Sequence, residues 1–189
     1  RIPNWSTHWL VSSTRFIGRC CLLDVLSGEK SRQKGVDSLN LHSNKNRMSK
    51  IRITKQFGFE TGHALYGYDG KCKNVHGHSY KLSVTVIGEP INDINNVKNG
   101  MVIDFTDLKK IVKEEIVDQF DHASVFNKNT PHVELAKELA SRGHHVILVD
   151  YQPTSENMVV DFSKRIIGRL PENIKLFSLK LQETESSFA

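Results

Sequence analysis

Long apolar segments are missing from this 189-residue chain, and none approaches the ~20 residues that a membrane-spanning helix needs. Cysteine is also scarce: there are three, and two of them, Cys20 and Cys21, are adjacent. Such a set cannot build a disulfide framework, so Cys72 is expected to remain a free thiol in a reducing compartment. These absences argue against a membrane protein and a disulfide-stapled secreted domain, and they predict a cytoplasmic protein.

An excess of positive charge is absent from the part of the chain that shows regular patterns. The formal net charge is +5, but residues 1–47 hold eight Lys or Arg against three acidic residues, whereas residues 48–189 hold 18 of each. A nucleic-acid-binding domain carries a basic surface of its own. We therefore expect no nucleic-acid partner, and the 38% hydrophobic content suits a globular domain of ordinary size.

The first 47 residues differ from the rest, because they are rich in Ser and Arg and show no sustained period of 2 or 3.6. Met48-Ser49-Lys50 reads as a translation start directly before the first patterned strand. We interpret residues 1–47 as an N-terminal extension outside the main fold and residues 48–189 as the folded domain. The alternative is an organelle transit peptide, whose Arg-rich and acid-poor composition the segment partly shares.

Hydrophobic periodicity predicts an alternation of strands and helices after residue 50. The predicted elements are strands at 51–59 and 80–87, a helix capped by Asp104 or Thr106 that ends at Asp121-His122, a helix at 133–142, a strand at 145–151, a helix from Thr154 to Leu170 and a strand at 174–181. This order indicates an α+β fold in which helices cover one face of an antiparallel sheet.

Three imidazoles and one thiol occur within sixteen residues, at His63, Cys72, His76 and His78. The last two histidines project to one side of an extended chain, and Gly77 between them leaves room for a close approach. If the flanking segments pair as strands, the third histidine joins them. Three nitrogen ligands leave a tetrahedral zinc ion one open position, as in catalytic sites. The spacing also allows the thiol to be a fourth ligand, which would close the site.

Other polar residues have both a chemical and an ordinary interpretation. Cys72 lies between two lysines, which favours a reactive thiolate over a small buried side chain. Asp121-His122 could be a general acid/base histidine oriented by a carboxylate, or a solvated helix end. Taken alone, Glu183 is a solvated acid at a strand end, and Glu156 is an acid in the first turn of a helix.

Seven short motifs occur in one order along residues 50–189. They are Phe59-Glu60-Thr61-Gly62-His63, Gly70-Lys71-Cys72, His76-Gly77-His78-Ser79-Tyr80, Gly100-Met101-Val102-Ile103-Asp104-Phe105, Asp121-His122, Pro153-Thr154-Ser155-Glu156-Asn157 and Glu183-Thr184. This arrangement resembles the family of 6-pyruvoyltetrahydropterin and 6-carboxytetrahydropterin synthases. The three-residue gap between Cys72 and His76 is more similar to the bacterial 6-carboxytetrahydropterin synthases of queuosine synthesis than to the animal biopterin enzymes.

The resemblance implies a tunnelling fold, in which trimers form a barrel, two trimers stack, and active sites lie at subunit interfaces. It also implies a role for each residue that matches a family motif. These roles are zinc ligation by His63, His76 and His78, catalysis by the Cys72 thiol, acid/base chemistry by Asp121 and His122 of a neighbouring subunit, anchoring of the pterin ring by Glu183, and lining of the pterin pocket by Thr154 and Glu156.

The activity implied by the resemblance is conversion of 7,8-dihydroneopterin triphosphate to 6-carboxytetrahydropterin, acetaldehyde and triphosphate. One alternative is a 6-pyruvoyltetrahydropterin synthase, which eliminates triphosphate without breaking the side chain. Another is a catalytically silent oligomer that binds zinc and pterins. The resemblance implies one departure: simpler bacterial members have a short connection after Asn127, whereas this chain has some 25 residues at 128–152, and this insertion could reshape the pocket or the trimer contact.

Overall fold

The computed structural model describes residues 49–189, so the predicted extension at residues 1–47 lies outside the described residues. The described chain begins with two long strands, β1 (Ile51–His63) and β2 (His76–Gly88). The loop between them contains a single 3₁₀ turn at Lys71–Lys73. Both strands are longer than predicted, and they include the three histidines of the expected metal site: His63 ends β1, and His76 and His78 begin β2.

The second half of the described chain alternates helices with shorter strands. Its elements are α1 (Phe105–Val112), continued by a π-helical segment (Lys113–Val117) and α2 (Asp118–Phe120), then β3 (Ala123–Asn127), α3 (His132–Ser141), β4 (Val146–Val149), α4 (Ser155–Ile167) and β5 (Lys175–Gln182). Within residues 49–189, no helix has both the length and the apolar character required to cross a membrane.

Side-chain caps fix the starts of the two main helices. The Asp104 carboxylate accepts a hydrogen bond of 2.7 Å from the backbone N–H of Thr106, and the Thr154 hydroxyl accepts one of 3.4 Å from Asn157 N–H. Each cap satisfies an N–H group that has no partner inside the helix. The structure therefore has Asp104, and not Thr106, as the first cap, and Thr154, and not Ser155, as the second.

The five strands form one sheet in the order β4-β3-β1-β2-β5. β1 and β2 pair antiparallel along their full length, and β2 pairs antiparallel with β5. The α+β prediction with helices on one face is confirmed. The prediction of a purely antiparallel sheet fails at one side, because β3 is parallel to β1 and β4 is parallel to β3.

Residues 128–152 account for one of the two parallel pairs. Parallel neighbours require a crossover connection, and α3 supplies it between β3 and β4. This segment therefore supplies β4, the edge strand of the sheet.

The main core lies between one face of the sheet and the helices. Its buried side chains are Phe59, Tyr80, Leu82 and Val84 from β1 and β2, Leu108, Val112, Ile116 and Phe120 from the α1–α2 segment, and Met158, Phe162 and Ile166 from α4. Phe162 is fully buried and packs edge-on against Phe120 and Phe59, with ring centroids 4.8 Å and 6.2 Å apart. This aromatic contact joins both helical segments to the sheet.

The opposite face of β1 and β2 carries polar side chains that bond across the strands. Thr54 and Thr85 share a hydrogen bond of 2.8 Å, and the Ser79 hydroxyl donates to Glu60 at 2.7 Å. Cross-strand pairs of this kind stabilise a sheet whose face meets water. A hydrated face is also what the inside of the expected oligomeric barrel requires, although the barrel itself stays a prediction.

We expect Phe162→Ala to lower the free energy of unfolding by about 3–5 kcal/mol, because it leaves a cavity where the sheet and both helical segments meet. Val160→Ala is the matched control, since Val160 lies on the same helix but is 52% exposed; its effect should stay within about 0.5 kcal/mol. Urea denaturation at one fixed protein concentration measures both. Equal losses would contradict this description of the core.

Candidate metal centre and adjoining cavity

The register of β1 and β2 brings the three motif histidines to one face. His63 lies directly opposite His76, and Thr61 lies opposite His78. Directly opposed residues share a face, as do residues two apart along a strand, so all three rings point toward the helices. Gly77 fits here for a steric reason, because a Cβ at this position would lie 3.1 Å from the Thr61 carbonyl oxygen.

The three imidazoles form a compact cluster. Their ring centroids are 4.5 Å apart for His63 and His76, 5.2 Å for His63 and His78, and 5.0 Å for His76 and His78. One nitrogen from each ring lies within 4.8 Å of the other two. Among residues 49–189 this is the group of His, Cys, Asp and Glu side chains whose geometry could hold a metal ion.

Backbone carbonyls determine which nitrogen of two rings is free to bind. His63 Nδ1 lies 2.6 Å from the Pro153 carbonyl, and His76 Nδ1 lies 2.8 Å from the Asn74 carbonyl. A carbonyl only accepts, so each Nδ1 carries the proton and donates it, which leaves the Nε2 lone pair free. Metal-binding histidines are oriented by the same kind of outer contact.

The inward-facing nitrogens have no hydrogen-bond partner. The Nε2 atoms of His63, His76 and His78 are all buried and unpaired among the described residues. An unpaired buried polar atom is costly, and three that converge on one point match a metal-binding site. The donor set therefore fits a metal ion.

Burial favours the neutral ligand form of two of these histidines. It lowers the pKa of His63, an effect that the hydrogen bond to Pro153 opposes and repulsion from His76 reinforces. Burial likewise lowers the pKa of His78, against the attraction of Glu183. A neutral imidazole keeps its lone pair for a metal, whereas an imidazolium cannot bind one.

Glu183 lies at the edge of the histidine cluster. Its Oε1 atom is 3.3 Å from His78 Nε2 and 3.5 Å from His63 Nε2, and it accepts a hydrogen bond of 3.1 Å from the Tyr80 hydroxyl. The contacts with histidine are close but are not hydrogen bonds, in keeping with unprotonated Nε2 atoms. Burial, together with the Glu183 charge, raises the pKa of Tyr80, so the phenol stays protonated and holds the carboxylate in place.

A cavity of about 220 Å³ adjoins the histidine cluster. It brings together five of the residues singled out in the sequence and three that were not. The lining residues are His63, Cys72, Thr154, Glu156 and Glu183, together with Leu65, Tyr68 and Ser155. Among the described residues, the Ser155 hydroxyl is buried with no hydrogen-bond partner. In the sequence Ser155 lies within the Pro153–Asn157 motif, but the resemblance gave a role only to its neighbours Thr154 and Glu156.

Cys72 enters this cavity from the 3₁₀ turn in the β1–β2 loop. The Leu65 N–H donates to the Cys72 carbonyl at 3.0 Å and closes the loop at that point. The Cys72 sulfur is not part of the group of mutually close metal-binding atoms. The alternative in which the thiol is a fourth ligand is therefore disfavoured by the geometry.

Asp121 and His122 lie at the surface, outside the cavity that contains Cys72. Asp121 Oδ1 is 3.1 Å from His122 Nδ1 and accepts a 2.9 Å hydrogen bond from Glu60 N–H, which lowers the Asp121 pKa. His122 has a positive φ of 59°, uncommon outside glycine, and its side chain is 78% exposed. The expected carboxylate–imidazole pairing is present.

The cavity beside this pair is not the one that contains Cys72. His122 borders an open depression of about 350 Å³ that also includes His78 and Ser79. Asp121 and His122 therefore do not meet Cys72 in the cavity that this single chain forms.

Solved structures with the same fold include tetrahydropterin synthases. The chain aligns with an uncharacterized protein from Wolinella succinogenes with a TM-score of 0.62 at 20% identity, covering 75% of this chain and 97% of that one. It also aligns with 6-pyruvoyl tetrahydropterin synthase from Caenorhabditis elegans with a TM-score of 0.55 at 23% identity, covering 76% and 95%. Both alignments show that the chain has the fold of these structures.

Residues 52–189 match the family model described as 6-pyruvoyl tetrahydropterin synthase, and the chain belongs to this family. Among curated relatives, 6-carboxy-5,6,7,8-tetrahydropterin synthase from Haemophilus influenzae is 38% identical over 141 residues, which are 73% of this chain and 96% of the relative. A probable 6-carboxy-5,6,7,8-tetrahydropterin synthase from Halobacterium salinarum is 29% identical over 156 residues, with 82% and 91% coverage.

We expect His76→Ala to lower the affinity for a divalent transition metal by more than about 100-fold, because losing a ligand costs more than losing a partner that only orients one. His144→Ala is the control, since His144 is exposed and lies outside the cluster. Metal content after dialysis and calorimetric titration measure the effect. Unchanged stoichiometry and affinity in the His76 variant would rule out this centre.

Proposed function

We propose that this chain is a 6-carboxy-5,6,7,8-tetrahydropterin synthase acting on 7,8-dihydroneopterin triphosphate. The observation that carries the proposal is the cavity in which Cys72 and Glu183 adjoin the histidine cluster. This arrangement combines a metal position, a potential base and a carboxylate that can recognise a heterocycle. Relatives with the name of this activity align along nearly their whole length.

His63, His76 and His78 would hold the metal, which we propose to be zinc because three nitrogen ligands with one open position are typical of catalytic zinc. When bound, zinc would act as a Lewis acid toward the hydroxyl groups of the substrate side chain and make them and the adjacent C–H groups more acidic. The carbonyls of Pro153 and Asn74 keep two of the rings in the required orientation.

Glu183 would anchor the pterin. A pterin presents a ring N–H beside an amino group, and one carboxylate can accept both hydrogen bonds as a bidentate pair. The Tyr80 hydroxyl orients this carboxylate. Thr154 and Glu156, at the start of α4, would form the wall of the same pocket, with the ring held so that its side chain reaches the histidine cluster.

Cys72 would remove a proton from the substrate side chain on one side, and the Asp121-His122 pair would deliver or accept one on the other. Within one chain the pair is absent from the Cys72 cavity and His122 is exposed. We therefore infer that a neighbouring subunit contributes the pair, and that the enzyme assembles as a dimer of trimers with active sites between subunits. The free Cys72 thiol agrees with a cytoplasmic location.

The substrate carries a three-carbon side chain on the pterin ring. The proposed reaction and its alternative differ in how many of these carbons stay on the ring. In the proposed reaction triphosphate leaves, one carbon remains on the ring as a carboxyl group, and two leave as acetaldehyde, with water consumed. A 6-pyruvoyltetrahydropterin synthase, as the family model is described, keeps all three carbons on the ring.

Incubation of the zinc-loaded chain with 7,8-dihydroneopterin triphosphate should release acetaldehyde and triphosphate in equal amounts. Carbon–carbon cleavage is the expected result because curated relatives that align along nearly their whole length carry the carboxy-pterin name. Chromatography of the pterin and an enzymatic acetaldehyde assay measure the products. Triphosphate with a pyruvoyl product and no acetaldehyde would support the alternative, and no turnover would support a silent pterin-binding oligomer.

Cys72→Ala and His122→Ala should each lower kcat by about 100-fold or more, the contribution of a positioned acid or base. When equal amounts of the two variants are mixed and reassembled, up to about a quarter of wild-type activity should return. The reason is that, on random assembly, one interface in four combines an intact Cys72 from one subunit with an intact His122 from its neighbour. Steady-state kinetics before and after mixing give the result. If one chain supplied both groups, the mixture would stay inactive.

A further inference from the structure

Residues 128–152, here called the excursion, contact the loop that carries Cys72. The Gln152 side-chain amide donates a hydrogen bond of 2.9 Å to the Tyr66 carbonyl, although the two residues are 86 positions apart in sequence. The His132 ring packs edge-on against the Tyr66 ring, with centroids 5.3 Å apart. Because the Tyr66 side chain is half exposed, these contacts, and not core burial, hold this part of the loop.

The loop itself contains few restraining hydrogen bonds between His63 and the 3₁₀ turn. The Leu65 N–H donates to the Cys72 carbonyl at 3.0 Å, and the Tyr68 N–H donates to the Leu65 carbonyl at 3.4 Å. Tyr66, whose carbonyl accepts the hydrogen bond from Gln152, directly follows Leu65, whose N–H is hydrogen-bonded to the Cys72 carbonyl. A shift at Tyr66 would be transmitted through Leu65 to the thiol.

A second contact secures the start of the loop. Ala64, directly after the metal ligand His63, is buried in a small apolar cluster with Phe126 and with Ala136 of α3. Leu139, also on α3, packs against the same cluster. The excursion therefore touches the loop at Ala64 through apolar packing and at Tyr66 through a hydrogen bond and an aromatic contact.

We propose that the excursion braces the β1–β2 loop, and that Gln152 is a positioning residue that fixes Cys72 for the reaction. The inference rests on the proposed function, since it concerns the placement of the thiol in that site. Gln152 does not line the cavity and acts only through Tyr66. Its backbone carbonyl also receives hydrogen bonds from Thr154 N–H and the Asn157 side chain, and truncating its own side chain leaves both donors in place.

The test compares Gln152→Ala with Asn129→Ala in the full zinc-loaded chain. Asn129 is a matched control, because its side-chain amide also donates to a backbone carbonyl, that of Asp150, but inside the excursion. Two rates should each rise by about fivefold in Gln152→Ala: the deuterium uptake of residues 64–72, and the alkylation of Cys72 by iodoacetamide, measured on the peptide that contains Cys72. A factor of about five is expected because the loss of one hydrogen bond makes local opening of the loop easier. Asn129→Ala should change neither.

The kinetic consequence should be a fall in kcat of similar size in Gln152→Ala, with zinc content unchanged because the His63–Pro153 contact remains. Gln152→Glu keeps the shape of the side chain but removes the N–H donor, so it should raise deuterium uptake and alkylation in the same way. It replaces Gln152→Ala in the test if the alanine variant folds poorly. Unchanged uptake and alkylation in both Gln152 variants, or an equal rise in Asn129→Ala, would overturn the proposal. Uptake and alkylation need no turnover, so failure of the proposed reaction would be seen separately.

Discussion

The pairing of β1 with β2 is the constraint on which the rest of the site depends. Side chains alternate between the faces of a strand, so sliding one strand by a single residue would send its histidines to the solvated face. The apolar residues of the same two strands resist such a slip, because a slip of β1 would take Phe59 out of the core and a slip of β2 would take out Tyr80 and Leu82. The energy of the hydrophobic core therefore keeps the three histidines in register.

The burial that stabilises the fold also creates a need for a ligand. Three unpaired Nε2 atoms inside the protein destabilise the metal-free state relative to a state in which they are bonded. Binding to the folded state alone adds stability by mass action. The contact between His63 and Pro153 links this effect to the start of α4, the helix whose first turn lines the pocket.

Most of the architecture could be predicted from the sequence, because long strands and amphipathic helices follow local periodicity. The grouping of the three histidines was also predictable, since His76 and His78 have strand spacing. β3 was missed because Ala123–Asn127 is five residues long and is stabilised by distant parallel neighbours, which no local pattern encodes. The separation of Asp121-His122 from the Cys72 cavity could not be derived either, since it depends on how a helix end packs far from the loop.

The ends of the excursion lie side by side, because Asn127 and Val149 are paired on neighbouring strands and Lys128 N–H bonds to the Val149 carbonyl at 2.8 Å. A segment that leaves and re-enters a fold at nearly one point can change in length or composition without moving the strands that carry the three histidines. Such a change would instead alter the contacts made to the Cys72 loop at Ala64 and Tyr66.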